Sequence, residues 1–321
     1  MVNKLDVPHL WSQETERAVA KQEELAKGVY STDQSFEEMR IAYNKERAYW
    51  NQDPPEMVEV RDGTVPTNTG EVKIRQYRPV ETETLPCVMF FHGGGWVLGN
   101  LDTHDRMAKL VARATGAAVV ATDYSLSPEA KYPQPIEEAV QVFHYLQDNH
   151  EEWGINPRDF SFTGDSGGAH ISLATFLALR GEGINLSDIR ALLLFYGWFG
   201  LSDSMSARLL GGWWDGLTQD DFDFYKSLAL KDMSETKQPY VDLFRNDLTK
   251  QMPPVYLAAA ELDPLLDDSR LLAKILEANK IPVQLDVFAG TIHAFLHHSR
   301  MLKAANEAIE NAGRFYKKFA R

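Results

Sequence analysis

Ser166 stands in the glycine-rich stretch GDSGGAH, residues 164–170. The apolar run FSFT precedes this stretch, and the run AHISLATFLALR, typical of a helix, continues from it. A serine on a tight turn between a strand and a helix exposes its hydroxyl as a nucleophile for acyl transfer. We expect Ser166 to adopt a positive φ there, with Gly164 and Gly168 relieving the crowding. The alternative is an ordinary glycine-rich turn, because short motifs also match by chance.

The letters GDSGG also surround the nucleophile of secreted trypsin-like proteases, which carry it on a loop between β-barrels. Those enzymes depend on disulfides, whereas this chain has one cysteine, Cys87, and cannot form an intrachain bridge. Their acid and base also precede the serine, whereas the best candidates here follow it. The sequence therefore favours the strand-turn-helix arrangement.

The acid and base candidates lie at the ends of two later apolar runs. Asp263 ends VYLAAAELD, and His293 in GTIHAF follows VQLDVF. Sheets of α/β proteins place functional side chains at the carboxyl ends of their strands, so these positions suit a serine-histidine-aspartate triad. The sequence leaves open three other acids and two other bases, although we expect the two bases on a following helix, away from the serine: Glu261, Asp267, Asp268, His297 and His298.

A second glycine run, HGGGW at 92–96, follows the apolar run CVMFF. Glycines expose backbone N–H groups, and acyl transfer needs such donors to stabilise the tetrahedral oxyanion. We predict that the amides of Gly93 and Gly94 form this oxyanion hole together with that of Gly167, the residue after the nucleophile. Asp165 is expected to be a structural hydrogen-bonding group.

Composition excludes several classes of protein. The formal charge of −13 and the pI near 5.2 argue against binding to nucleic acid or to an anionic membrane, both of which need clustered Lys and Arg. The first residues are charged and lack the apolar run of a signal peptide, so we expect a cytoplasmic protein. No HExxH pattern or cysteine pair is present, and we expect neither a metal nor a cofactor, with His104 and His170 not acting as ligands.

The elements that must position these residues alternate between short apolar runs and helical stretches. This alternation predicts an α/β fold with a mostly parallel, doubly wound sheet, and the strand-like VKIRQYRP at 72–79 is expected near one edge. We predict a single domain of residues 1–321, with a catalytic core of about 56–321 and a helical cap over one edge of the sheet. The cap would comprise about 1–50 and 202–250. The aromatic residues of the cap either belong to an ordinary core or line the substrate pocket. The candidates for the pocket are Trp213 and Trp214 of the cap, together with Trp96 of the HGGGW stretch.

Several motifs together resemble the hormone-sensitive-lipase-like branch of the α/β-hydrolase esterases. They are HGGGW, DYSLSPEAKYPQP at 123–135, GDSGGA, DPLLDDS at 263–269 and HAF at 293–295. The resemblance implies Ser166 as nucleophile, His293 as base, Asp263 as the acid that orients it, and the stretch His92, Gly93, Gly94 as the oxyanion loop. It further implies hydrolysis of acetyl and other short acyl esters without a cofactor. Gly167 departs from the branch, which usually has alanine there.

Two other functions remain open at this stage. The same triad also serves an amidase or peptidase. A regulatory or binding protein can occupy the same scaffold, because a fold alone does not establish activity. The resemblance implies contacts of this second kind, with a transcription activator of maltose genes and with an α-galactosidase, and also a homodimer.

Overall fold

The computed structural model describes residues 5–27 and 35–320. Within these ranges eight strands form one sheet: β1 Glu59–Thr67, β2 Gly70–Arg78, β3 Leu85–Phe91, β4 Ala118–Asp123, β5 Ile155–Asp165, β6 Ile189–Phe195, β7 Val255–Ala260 and β8 Val283–Phe288. The helices are α1 Gln13–Ala26, α2 Phe36–Trp50, α3 Asp105–Thr115, α4 Gln134–Asp148, α5 His150–Trp153, α6 Gly167–Glu182, α7 Met205–Leu210, α8 Gln219–Ala229, α9 Leu266–Ala278 and α10 Lys303–Lys318. Short 3₁₀ helices include Val7–Leu10 and Phe295–His298.

The strand order in the sheet is β1-β2-β4-β3-β5-β6-β7-β8. Strand β2 pairs antiparallel with both β1 and β4, and the pairs from β4 through β8 are parallel. Every residue of β6 and β7 is buried, as expected for strands covered by helices on both faces. The predicted α/β fold with a mostly parallel sheet is confirmed. The strand predicted near an edge is β2, and β1 lies outside it.

Helix α6 lies at the centre of the molecule and begins directly after Ser166. It is apolar on most of its circumference and is buried from Gly167 to Leu177, because it packs on β5, β6 and β3 and against α4. A helix that is apolar on all sides is stable only when it is covered on all sides. Its start, and hence the turn before it, is therefore held by the core.

The segments predicted to form a cap contain helices in both parts of the chain. Helices α2 and α8 each begin with a capping box, Ser35 with Glu38 and Thr218 with Asp221. Helix α1 contacts the segment after β8, where the Thr15 hydroxyl donates to the Gly290 carbonyl at 2.7 Å. Residues 1–4 and 28–34 of the predicted cap lie outside the described residues. Within the ranges 5–27 and 35–320, no helix has the length and apolar character to cross a membrane.

Candidate active site

Ser166 occupies a strained turn between β5 and α6. Its φ of 52° confirms the expected positive value, which costs a residue other than glycine about 1–3 kcal/mol. Its N–H donates to the Phe195 carbonyl at 2.9 Å, which ties the turn to the neighbouring strand β6. A Cβ on Gly168 would lie 2.0 Å from the Phe91 carbonyl oxygen, so only glycine fits this close approach.

The structure brings the three predicted triad residues into one chain of hydrogen bonds. Ser166 Oγ lies 2.8 Å from His293 Nε2, and His293 Nδ1 lies 2.8 Å from Asp263 Oδ2. The other carboxylate oxygen of Asp263 accepts the Leu265 N–H at 2.8 Å. Asp263 follows β7 and His293 follows β8, so two adjacent strands bring them to the serine at the end of β5.

The other acids considered from the sequence have different partners. Glu261 accepts the Gly290 N–H at 2.8 Å, and Asp267 accepts the Ser206 N–H at 2.9 Å. Asp268 accepts three backbone amides at 2.7–3.2 Å, from residues 199–201 after β6. Each of these carboxylates therefore holds a loop, whereas Asp263 contacts the histidine.

The two other histidines do not contact the serine, and one of them lies closer than expected. His298 is hydrogen-bonded to Gln22 at 2.9 Å, away from the site. His297 was expected to lie away from the serine, yet it lines the same cavity as Ser166, with its Nε2 3.8 Å from Asp165. Burial lowers the pKa of His297 well below its ordinary value, and the charge of Arg47 lowers it further. A neutral ring is therefore expected there.

The electrostatics of His293 suit a base. Burial alone would lower its pKa, but the charge of Asp263 and its hydrogen bond to Nδ1 act in the opposite direction, and the pKa of His293 is raised. The same contact places the ring proton on Nδ1, which leaves the Nε2 lone pair free to accept the Ser166 proton.

The glycine loop after β3 differs from the sequence prediction by one residue. The Gly93 N–H donates to Asp165 Oδ1 at 2.9 Å and is buried, so it is not available to an oxyanion. The His92 ring is also buried, stacked on Tyr124 with its Nδ1 2.8 Å from the Gly93 carbonyl oxygen. The predicted assignment of His92 and Gly93 to the oxyanion loop is therefore corrected.

Gly94 and Gly95 line the cavity instead, together with Gly167. The amides of Gly94 and Gly95 have no acceptor among the described residues, and the Gly167 amide belongs to the unpaired first turn of α6. Gly94 and Gly95 have φ values of 116° and 61°, which turn the loop toward the serine in a conformation that favours glycine. Gly95 was missed because the three glycines look alike in the sequence, and only the contact to Asp165 distinguishes the first.

Asp165 is buried and lies among other polar side chains at the wall of the cavity. His104 Nε2 lies 3.4 Å from its Oδ1, and Tyr196 donates its hydroxyl to Oδ2 at 3.4 Å. Burial alone would raise the pKa of Asp165, but the contact with His104 outweighs it and the pKa is lowered. Ligand atoms of His104, Asp165 and His297 lie within 4.8 Å of one another, close enough for a metal ion. Asp165 already accepts hydrogen bonds from the Gly93 N–H and the Tyr196 hydroxyl.

The wall of the cavity around Ser166 contains aromatic residues, glycines and the charged residues Arg47, Asp165 and Asp215. Besides the triad serine and histidine, its aromatic lining is Tyr43, Trp96, Trp198, Phe222 and Tyr225. Of the three predicted pocket residues, Trp96 lines it. Trp213 is 64% exposed, and Trp214 is buried against Trp11 with ring centroids 5.8 Å apart, so these two predictions are wrong. Tyr43 and Trp198 were missed because they lie far from the motifs in sequence.

The Trp96 ring packs against Gly167, at the position where the family usually has the methyl group of an alanine. A Cβ on Gly167 would lie 3.3 Å from the Trp96 indole nitrogen. Trp96 also meets Trp198 edge to face at 5.7 Å, and both rings form a wall between the serine cavity and a second, apolar cavity. The His170 ring lines that second cavity, where it stacks on Trp198 and its Nε2 lies 3.1 Å from the Val241 carbonyl oxygen.

The fold and site are those of a hydrolase of the α/β class, and comparison with known proteins identifies the family. Residues 88–297 match a family model described as an α/β-hydrolase fold. The chain belongs to that family, which is the hormone-sensitive-lipase-like branch its motifs resemble.

Curated relatives and solved structures agree with this assignment. The chain is 46% identical over 287 residues to acetyl esterases of Salmonella dublin and Salmonella paratyphi B, covering 89% of this chain and 88% of theirs. It resembles a hyperthermophilic esterase from the archaeon Pyrobaculum calidifontis, with a TM-score of 0.88, 27% identity, and coverage of 96% of this chain and 98% of that one. A thermostable esterase from Pseudomonas putida gives a TM-score of 0.87, 26% identity and coverage of 97% and 98%.

Proposed function

We propose that this protein is a serine carboxylesterase that hydrolyses acetyl and other short acyl esters. The observation that carries the proposal is the continuous hydrogen-bonded chain from Ser166 through His293 to Asp263, open to a cavity lined by unpaired backbone amides. The family and its esterase members support it independently.

Acylation uses the triad as follows. Ser166 Oγ attacks the ester carbonyl carbon while His293 Nε2 accepts its proton. Asp263 keeps the other ring proton on Nδ1 and stabilises the imidazolium that forms. As the tetrahedral intermediate collapses, His293 returns the proton to the departing alcohol oxygen, leaving the acyl group on Ser166.

We propose that the loop after β3 and the first residue of α6 bind the oxyanion of the tetrahedral intermediate. The amides of Gly94, Gly95 and Gly167 can all donate to it, and each such donor stabilises the transition state by about 2.7–4 kcal/mol. The Gly93–Asp165 hydrogen bond fixes this loop to the residue beside the nucleophile, so the donors are in place before the substrate arrives.

Deacylation repeats the chemistry with water as the nucleophile. A water molecule attacks the acyl carbon while His293 Nε2 accepts one of its protons, and Ser166 leaves with that proton as the free acid is released. The residues named for the two half-reactions are sufficient, and the proposal includes no cofactor and no metal.

The preference for short acyl groups rests on the wall formed by Trp96 and Trp198. Trp96 stands over Gly167, next to the donors that orient the carbonyl, so the acyl chain points toward these two rings. An acetyl group fits before them, whereas a long chain would have to displace large, packed side chains.

The remaining parts of the proposal rest on the sequence. We place the enzyme in the cytoplasm and treat residues 1–50 and 202–250 as a cap on a core of about 56–321. Homodimerisation, and contact with a transcription activator of maltose genes or an α-galactosidase, are proposed on resemblance alone. Sedimentation of the purified chain and pull-downs with purified partners test them.

A substrate panel tests the function. The p-nitrophenyl acetate ester should be cleaved much faster than the decanoate ester, and both faster than the matching anilides, which report amidase activity. The Ser166→Ala variant should fall to the background rate. Faster cleavage of the anilides, or an active Ser166→Ala enzyme, would contradict the proposal.

A further inference from the structure

Asp215 is a half-buried residue of the serine cavity, with a buried carboxyl oxygen, that the mechanism above does not use. It lies in the segment between α7 and α8 and lines the cavity together with Ser166 and His293. One oxygen, Oδ1, accepts the N–H groups of Gly212 and Leu217 at 3.1 Å each. These two bonds fix the loop and the orientation of the carboxyl group.

The second oxygen of Asp215 has no such role. Oδ2 is buried and has no hydrogen-bond partner among the residues that the structure describes. An unpaired buried carboxyl oxygen costs free energy, and native proteins leave few of them without a hydrogen-bond partner. The free cavity beside it therefore points to a group on the substrate.

The position of Asp215 indicates that it faces the alcohol part of the ester and not the acyl part. The neighbouring residue Trp214 packs in one buried cluster with Leu262 and Ile292, which directly precede Asp263 and His293, so Asp215 lies on the histidine side of the site. The departing alcohol oxygen must receive its proton from His293 Nε2, so the alcohol part of the substrate lies on that side. The acyl group lies instead beside Gly167 and Trp96.

The electrostatics favour a neutral hydroxyl over a cation as the partner. Burial raises the pKa of Asp215 to about 7, so near neutral pH the group is about half protonated. A carboxyl group accepts a hydrogen bond from a hydroxyl in either form, whereas it attracts a cation only when ionised.

Building on the proposed esterase function, we infer that Asp215 Oδ2 accepts a hydrogen bond from a hydroxyl on the alcohol part of the substrate. The preferred substrates are therefore acetyl esters of polyols or sugars. The aromatic rings of Phe222 and Tyr225 on α8 line the same cavity and offer apolar faces to the carbon skeleton of such an alcohol.

The test compares glycerol monoacetate with propyl acetate, which is the same ester without its two hydroxyls. The Asp215→Asn variant keeps an oxygen for the Gly212 and Leu217 amides and replaces Oδ2 by an NH₂ group that cannot accept. We expect kcat/KM for glycerol monoacetate to fall about tenfold, the size of one ordinary hydrogen bond, while propyl acetate is hydrolysed as before.

Asp268→Asn is the matched control. Asp268 is buried, has a pKa raised by burial to about 7 and accepts backbone amides, but it does not line the serine cavity. Its substitution should leave the ratio between the two esters unchanged even if the protein is less stable.

An unchanged ratio in Asp215→Asn, or an equal change in Asp268→Asn, would overturn the inference. So would a selective loss on acetylcholine with glycerol monoacetate unaffected, because this would assign the group to a cation. Failure of the wild-type protein to hydrolyse any of the three esters would instead contradict the esterase function itself.

Discussion

Replacing Asp263 by asparagine tests the arrangement of the triad most directly. The carboxylate uses one oxygen for the Leu265 N–H and the other for His293 Nδ1, each at 2.8 Å. Asparagine has a single side-chain oxygen and can therefore accept only one of these two hydrogen bonds. If its NH₂ group faced the Leu265 N–H, two donors would meet in a buried site, at a cost of about 1–3 kcal/mol.

The oxygen therefore stays on Leu265 and the NH₂ group faces His293 Nδ1. His293 must then carry its proton on Nε2, where it donates to Ser166 Oγ instead of accepting from it. A wrong tautomer of this kind lowers kcat about 10⁴-fold, which corresponds to about 5.4 kcal/mol in the activation barrier.

The assay is steady-state hydrolysis of p-nitrophenyl acetate, with circular dichroism to check the fold. Asp267→Asn is the control, because this acid was an alternative in the sequence and instead accepts the Ser206 N–H. We expect its kcat to match the wild type. An Asp263→Asn enzyme that keeps more than about a tenth of the kcat, or an equal loss in Asp267→Asn, would refute the reasoning.

The other predictions concern residues at or near the wall of the serine cavity and the base His293. Gly167→Ala should keep or raise kcat, because its methyl group displaces the Trp96 ring by only a few tenths of an ångström and stiffens the donor backbone; a large loss in the same assay would contradict this. Trp198→Ala should extend hydrolysis to longer p-nitrophenyl esters by joining the two cavities, and an unchanged chain-length profile would count against the wall. Trp213→Ala should leave the kinetics unchanged, because this side chain is 64% exposed outside the cavity. A pH profile of kcat/KM should lose activity as the pH falls through the raised pKa of His293, with its midpoint above the ordinary value of 6.5, and a midpoint below it would argue against the Asp263 contact.

Local patterns predicted the nucleophile turn well. The sequence around Ser166 contains the strand, the glycines and the start of the helix within a few residues, and these determine its positive φ. The ends of apolar runs likewise led to Asp263 and His293, because parallel strands bring their carboxyl ends to one edge of the sheet.

Contacts between distant residues could not be predicted in this way. The N–H of Gly93, the first glycine of HGGGW, donates to Asp165, which lies 72 residues further along the chain. Trp213 and Trp214 are adjacent and equally apolar, yet one is exposed and the other packs on Trp11. Strand β1 was missed because its sequence, EVRDGTVPT, contains a glycine and a proline, which are depleted in strands.

The contact between α1 and the segment after β8 has a consequence for the order of synthesis. Thr15 is made early by the ribosome, but its partner Gly290 is made 275 residues later, followed by the nearby His293. The nascent chain can form the serine turn long before it has a base. Ester hydrolysis should therefore begin only once His293 has left the ribosome, and an arrested chain that ends before this residue should have no activity.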